Sequence, residues 1–443
     1  MAGFTPHTES EIKEMLQAAG APSIESLFFD ITPELRAKSF NLPKGITEYE
    51  ALNEMQELAS KNTTFTASFL GGGYYDHFIP AAVDTISSRA EFYTAYTPYQ
   101  PEASQGTLRA VFEYQSMISG ITGMELSNAS LYDGGTAIYE AVNMAFRGSR
   151  KKKVIIDGGV NPLHVKMLKT HAKNIGVEFI EAPAENGRTD LKALAAMIDS
   201  DTAAVVAQNP NFYGFVNDYS PVFAQAAKQG AASILSFYPV SLGILKTPAE
   251  MGADIAVAEG QSLGQPLSFG GPYLGIMAVN KKFMRKIPGR IVGETTDKEG
   301  RTVYVLTLQA REQHIKREKA TSNICSNQAL CALRAVVFMS LMGKEGFKKL
   351  ALINLERAEY LKSKLSEISG IEIISGATFN EFSVKLKKDA QVFFREMSAK
   401  GFIAGLPASV FFPHDKNTII INATEKKTQN QMDMFITAVK ECV

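Results

Sequence analysis

Asp133-Gly-Gly-Thr-Ala137 carries the residue types of an anion site. Its two glycines let the backbone approach a ligand. The first N–H groups of a following helix, with the Thr136 hydroxyl, then face outward as donors. The same residues also serve as a plain glycine-capped helix start. Gln208-Asn-Pro-Asn-Phe-Tyr-Gly214 brings three amide side chains, Asn209 and Asn211 among them, to the end of an apolar run. Gly260-Gln-Ser-Leu-Gly-Gln-Pro-Leu-Ser-Phe-Gly-Gly-Pro272 follows a second such run. Ordinary turn chemistry accounts for both, yet two such loops beside the Asp133 loop suit a ligand site at strand ends. Tyr93-Thr-Ala-Tyr-Thr-Pro-Tyr-Gln-Pro-Glu102 is rich in hydroxyls and amides and is poor core material, so it reads as site or interface. Arg311-Glu-Gln-His-Ile-Lys-Arg-Glu-Lys319 holds four cations in nine residues. Such a run is a solvated helix face or a surface that meets an acidic partner.

These segments belong to a chain of 443 residues with 46 Lys+Arg against 46 Asp+Glu. Zero formal charge leaves no basic surplus for nucleic acid and is permissive for stable association. With 45% apolar and 21% charged residues, the chain has the composition of a folded protein. Cys325, Cys331 and Cys442 form no CxxC pair, and the histidines form no HExxH, so neither a disulfide framework nor a zinc site is expected. The cysteines read as buried small hydrophobes in a reducing compartment. Met1–Leu16 lacks the basic start and apolar stretch of a signal peptide, and no apolar run is long enough to span a bilayer. A cytoplasmic protein without a membrane segment is expected.

The elements that must position these residues follow from periodicity. Thr8 or Ser10 caps a first helix that stops at Gly20, and a second amphipathic stretch covers about Ile46–Leu58. Together they read as an N-terminal helical arm, residues 1–65. Helices are expected at Gln105–Ser119, Gly135–Phe146, Pro162–Asn174, Asp190–Ile198 and Asp218–Gln229. Short apolar runs alternate with them: Val154–Asp157, Val177–Ile180, Ala203–Ala207, Ser233–Ser236, Asp254–Ala258 and Leu274–Val279. That alternation predicts a mostly parallel sheet covered on both faces, within a large α/β domain at 66–330. Ile291–Leu306 reads as a hairpin turning at Asp297-Lys-Glu-Gly300. A long helical stretch from about Asn327 to Ile368, interrupted near Gly343, leads into mixed strands and helices. This tail is expected to form a smaller α+β domain, 331–443.

Six blocks, spread over roughly the whole chain, resemble the P-protein family of the glycine cleavage system, the pyridoxal-phosphate-dependent glycine decarboxylases, in its alpha-subunit or N-terminal-half form. They are Phe69–Asp84, Phe92–Gln115, Ala129–Ala141, Gln208–Gly214, Gly252–Gly275 and Arg311–Leu330. The resemblance implies a fold-type I, aminotransferase-like PLP-transferase architecture. It implies an oxidoreductase of glycine catabolism that releases CO₂ from glycine and passes the aminomethyl group to the lipoyl arm of the H-protein.

Fold-type I enzymes hold pyridoxal phosphate through a lysine just after a late strand. Here the residues after Asp254–Ala258 are Glu259-Gly-Gln-Ser-Leu-Gly264, and no lysine occurs from Thr247 to Asn280. Gln261 and Ser262 cannot form a Schiff base. Lys246, the nearest upstream, precedes the strand. Ser236-Phe-Tyr-Pro239 offers no aspartate for the ring nitrogen. The resemblance therefore implies the split form, in which a homologous beta subunit holds the cofactor covalently and this chain does not, in an alpha2beta2 heterotetramer. Candidate residues at the interface and substrate site are Tyr96, Thr97, Tyr99, Gln100 and Glu102, with Ser104 and Gln105 behind them. Gly135 and Thr136 are candidates for a vestigial or structural anion site, and Asn209 and Asn211 are weaker ones. Arg317 and Lys319 are candidates to line the lipoyl entry or dock an acidic carrier. The alternatives are an inert scaffold or regulator of the beta subunit, and a self-contained lyase or desulfurase of the same fold, against which the missing lysine argues.

Overall fold

The computed structural model describes residues 6–39, 41–147, 149–374 and 376–443. The chain divides into two compact units, Met1–Thr63 and Thr64–Val443.

The first unit is built around α1 (Glu9–Ala18) and α2 (Glu48–Ser60). Each opens with a reciprocal cap. Thr8 accepts from the Glu11 amide while the Glu11 carboxylate accepts from the Thr8 amide, and Thr47 and Glu50 repeat the arrangement. Neither helix contains a buried residue, and Leu52, Met55 and Leu58 are exposed along one face of α2. Helices of 10 and 13 residues are marginal in water on propensity alone.

The second unit is organised by a seven-stranded sheet. Its strands are β1 (Leu126–Ser127), β2 (Lys153–Ile156), β3 (Glu178–Glu181), β4 (Thr202–Asn209), β5 (Ala232–Phe237), β6 (Ile255–Glu259) and β7 (Gly275–Val279). The spatial order is β1-β7-β6-β5-β4-β2-β3. The strands from β6 to β3 run parallel, and β7 is antiparallel to both β6 and β1. Val205, Val206, Ile234 and Val257 are fully buried, as a sheet covered on both faces demands. Strand β1 has only two residues and carries no periodicity, so the sequence gives no sign of it.

Helix α3 (Gln105–Thr122) follows the Tyr93–Glu102 loop and ends at Gly123 in the left-handed region. Helix α4 (Gly134–Phe146) starts just beyond the Asp133 turn, and α5 (Pro162–His171) follows β2. α4 packs against β6 and β7, with Ala137, Ile138 and Ala141 in one core with Val257 and Met277. Helix α6 (Ser220–Lys228) covers the other face through Val222, Phe223 and Ala226. Beyond β7 comes the expected hairpin, β8 (Ile291–Thr296) and β9 (Thr302–Thr307).

Helix α7 (Ala329–Ser366) is broken where the sequence suggested, at Gly343, whose φ is 57°. It leads to an antiparallel sheet of β10 (Ile371–Ile373), β11 (Glu381–Leu386), β12 (Leu406–Pro407) and β13 (Thr418–Asn422), in the order β10-β11-β13-β12. Helices α8 (Ala390–Ala399) and α9 (Gln429–Cys442) complete its core through Phe393, Met397 and Phe435. Cys331 and Cys442 are buried as expected, whereas Cys325 is exposed, because it lies in the irregular segment before α7. No helix among the described residues is long and apolar enough to cross a membrane.

Candidate functional site

An open parallel sheet directs ligands to the carboxyl ends of its strands. At the ends of β5 and β6 this chain places its own side chains. Glu259, the last residue of β6, is buried, and its carboxylate accepts from the amides of Gly134 at 3.0 Å, Gln261 at 2.9 Å and Leu274 at 3.2 Å. Burial pushes its carboxyl up to about 8, against the pull of those donors, and the nearby Asp133 charge adds to the rise. The first N–H of α4, the natural partner of an anion, is thereby taken by a carboxyl oxygen of the chain itself. A Cβ added at Gly134 would lie 2.9 Å from both the Glu259 Cβ and its backbone nitrogen. Glycine here serves a close internal approach.

Gln261 stands in the stretch where the resemblance calls for a lysine. Its Oε1 accepts from the Tyr75 amide at 3.0 Å, and its Nε2 donates to the carbonyls of Tyr75 at 3.0 Å and Gln265 at 2.9 Å. The Gly71-Gly-Gly73 segment brings Tyr75 there. Gly72 and Gly73 have φ of 81° and 102°, conformations that suit glycine. The Glu381 carboxylate of β11 accepts from the Gly72 amide and the Tyr75 hydroxyl, each at 2.7 Å. Burial raises its carboxyl to about 7. Tyr238, just after β5, contacts His77 Nε2, and His77 Nδ1 lies 2.8 Å from Glu425. Burial works to raise the Glu425 carboxyl, but His77, the Phe78 amide and the Asn354 amide bring it down to about 2.

These residues do not fit pyridoxal phosphate. No lysine follows β6 before Lys281, Ser236–Pro239 at the end of β5 holds no acidic group, and the first amide of α4 is already matched. His164, beside Gly135 in the first turn of α5, is buried, and burial lowers it to about 4, so it adds no positive charge at neutral pH. Its ring nitrogens have no partner among the described residues.

The candidate residues fall into separate places. Thr136 donates its amide to Asp133 Oδ1 at 2.7 Å, and Gly135 is buried under Met167. Thr136 shares a cavity of about 470 Å³ with Arg317, whereas Lys319 is exposed outside its lining. Arg317 has a φ of 52°, an unusual value for a non-glycine residue. Asn209 and Asn211 are spent on backbone groups, and the Asn211 Nδ2 donates to the Gly187 carbonyl at 2.8 Å. Asn209 Oδ1 accepts from the Asn217 amide at 2.9 Å, and Asn211 Oδ1 accepts from those of Tyr213 and Phe215, each at 3.0 Å. Gln105 clamps β9, accepting from the Tyr304 amide at 2.9 Å and donating to its carbonyl at 2.8 Å. Ser104 precedes α3 without a side-chain cap bond.

The Tyr93–Glu102 loop is different. Tyr96, Tyr99, Gln100 and Glu102 are exposed, Tyr96 to 81%. Tyr96 and Thr97 line a cavity of about 270 Å³ together with Arg290, Ser326, Asn327 and Gln328. Arg290 and Glu259 were not singled out by sequence reasoning. The signal for each is a charged residue set against an apolar run, Ile287-Pro-Gly-Arg-Ile-Val292 and Ile255-Ala-Val-Ala-Glu259.

Comparison with known proteins places this geometry. The family model described as "Glycine cleavage system P-protein" matches residues 2–439. A protein of Citrifermentans bemidjiense named "Probable glycine dehydrogenase (decarboxylating) subunit 1" is 52% identical, covering 100% of this chain and 99% of that protein. A crystal structure of an inhibitor-bound glycine decarboxylase (P-protein) of the glycine cleavage system superposes with a TM-score of 0.93 at 41% identity, over 100% of both chains. A sphingosine-1-phosphate lyase of Burkholderia pseudomallei shares the fold alone, with a TM-score of 0.68 at 14% identity over 94% of each chain. The architecture is thus the fold-type I, PLP-transferase-like α/β fold, and the chain belongs to the glycine cleavage system P-protein family.

Proposed function

We propose that this chain is the non-lysine subunit of a heteromeric glycine decarboxylase, a glycine dehydrogenase (decarboxylating) subunit 1. With a second, lysine-bearing subunit it releases CO₂ from glycine and passes the aminomethyl group to the lipoyl arm of the H-protein. Pyridoxal phosphate is held covalently by the second subunit, in an alpha2beta2 assembly in the cytoplasm. The relatives' designation as subunit 1 supports a second chain. One observation carries the division of labour: the strand-end crevice is filled by Glu259, Gln261, Tyr75 and Glu381, while the Tyr93–Glu102 loop stays exposed. In this reading Tyr96, Thr97, Tyr99, Gln100 and Glu102 reach the partner's site. Arg317 and Lys319 meet the acidic carrier.

The test mixes the purified chain with pyridoxal phosphate, alone and with the second subunit. Glycine-dependent CO₂ exchange and a lysine-linked cofactor absorbance are expected only in the mixture. A cofactor absorbance from this chain alone, abolished in Lys246→Ala, would overturn the assignment. The filled crevice also suits a scaffold without a chemical role. Substitutions at Tyr99 and Gln100 separate the two, because CO₂ exchange that survives them in an intact complex leaves only the scaffold.

A further inference from the structure

Arg290 immediately precedes β8 and is 5% exposed. Its carbonyl accepts from the Ala129 amide at 2.8 Å, so its backbone is fixed. Among the described residues its guanidinium makes one side-chain hydrogen bond, from Nη2 to the Tyr99 hydroxyl at 3.2 Å. Nε is buried with no acceptor, and no carboxylate pairs with the group. The Tyr99 ring, 5.4 Å away, compensates some of the charge but offers no acceptor to Nε. Buried charges are ordinarily paired. Here the partner is missing, and a cavity of about 270 Å³ lies against the unpaired cation.

The lining defines the missing group. Arg290 is its one charged residue, so the cavity supplies a single positive charge. A phosphate dianion would be undercompensated, whereas the Nη1/Nη2 edge of the guanidinium matches one carboxylate by two parallel hydrogen bonds. Thr97, Ser326 and Asn327 add neutral polar groups, and Val111, Leu306 and Leu333 make the remaining wall apolar. No acidic side chain lines the cavity, so the ammonium of a free amino acid would find no counter-charge there. We propose that this cavity is a carboxylate-binding site, built on Arg290 and oriented by Tyr99. It takes an aliphatic monocarboxylate, either a free short-chain acid or an acidic side chain inserted by the second subunit. The inference stands on the cavity and does not depend on the reaction.

The test titrates the full-length chain with butyrate, and separately with glycine, by calorimetry and by NMR of the ligand. Butyrate is expected to bind and glycine to bind at least tenfold more weakly. Arg290→Met should weaken butyrate at least about tenfold. Tyr99→Phe, at an exposed position, should weaken it several-fold with an unchanged melting temperature. Addition of the second subunit identifies the source. Butyrate displaced on assembly, with weaker assembly of Arg290→Met, assigns the carboxylate to the partner; butyrate retained in the complex assigns it to a free acid. The proposal is overturned if butyrate does not bind and Tyr99→Phe and Arg290→Met assemble as tightly as the wild type.

Discussion

The strand-end crevice and the cavity under the Tyr93–Pro98 loop lie on the same unit and are both rich in polar groups. In the crevice, Glu259 meets three amides, the Gln261 amide group bridges two carbonyls and an N–H, and Glu381 takes an amide and a hydroxyl. In the cavity, Arg290 has a buried donor without an acceptor, and Tyr96 is turned to solvent. Satisfied polar groups rigidify a fold, and unsatisfied ones wait for something. The polar groups at the ends of β5 and β6 are thus largely matched within the chain, whereas those at the Tyr93–Pro98 cavity include an unmatched cation.

The comparison breaks most readily at Glu259. Glu259→Leu leaves three buried amides without an acceptor, and is expected to cost about 3–5 kcal/mol of unfolding free energy in urea titrations. A cost below about 1 kcal/mol would mean that water or another group reaches those amides, and that the crevice is open after all.

Next in size is a pH dependence. Glu259 and Glu381 are raised from 4.5 to about 8 and about 7. A carboxyl raised on folding contributes stability that is complete below about pH 4.5 and is lost as pH rises through the folded value. Through these two carboxyls the chain should lose on the order of a few kcal/mol between pH 5.5 and 9, offset in part near pH 6 by His164, which is lowered to about 4. Glu425, drawn down to about 2, acts oppositely, and its contribution is lost only in acid. Glu259→Gln should flatten the alkaline loss: its amide nitrogen cannot accept from a buried N–H, so the variant is the less stable at pH 5.5, and the gap narrows by a few kcal/mol as pH rises to 9. Parallel curves for the two proteins would remove Glu259 as the cause.

Smaller again is Gly134→Ala. The new methyl would sit 2.9 Å from Glu259 backbone and side chain, neither of which can swing away. A loss of about 1–3 kcal/mol in thermal or urea unfolding is expected, although alanine favours a helix over glycine. A gain in stability would show that α4 and β6 are not in the close approach described.

Much of this was legible in the residues. The alternation of short apolar runs with helices specified six of the seven strands of the main sheet, and the missing lysine marked the crevice as altered. Partners across long separations were not legible. Glu259 closes on Gly134, 125 positions earlier, and Glu381 on Tyr75, 306 positions earlier. No local periodicity encodes such contacts. The amides of Asn209 and Asn211 looked like ligand donors because their types suit both roles. Only the fold shows them spent on backbone groups, those of their own turn and, for Asn211, the Gly187 carbonyl. Arg290 gives little signal for the converse reason: a lone cation in a loop is ordinarily solvated, and only the fold shows it buried.

The smallest effect on stability belongs to the open side and is the most informative. Tyr96 is 81% exposed, and truncating it removes little packing within this chain. Tyr96→Ala should therefore change the unfolding free energy by less than about 0.5 kcal/mol. If the loop serves the partner's site, the same variant, assembled with the second subunit, should lose at least tenfold in glycine-dependent CO₂ exchange. Crevice variants are expected to lose stability first and activity only through it. A Tyr96→Ala complex with full activity would put the loop on the structural side of the comparison, and leave the buried, unpaired Arg290 as the remaining group with a task.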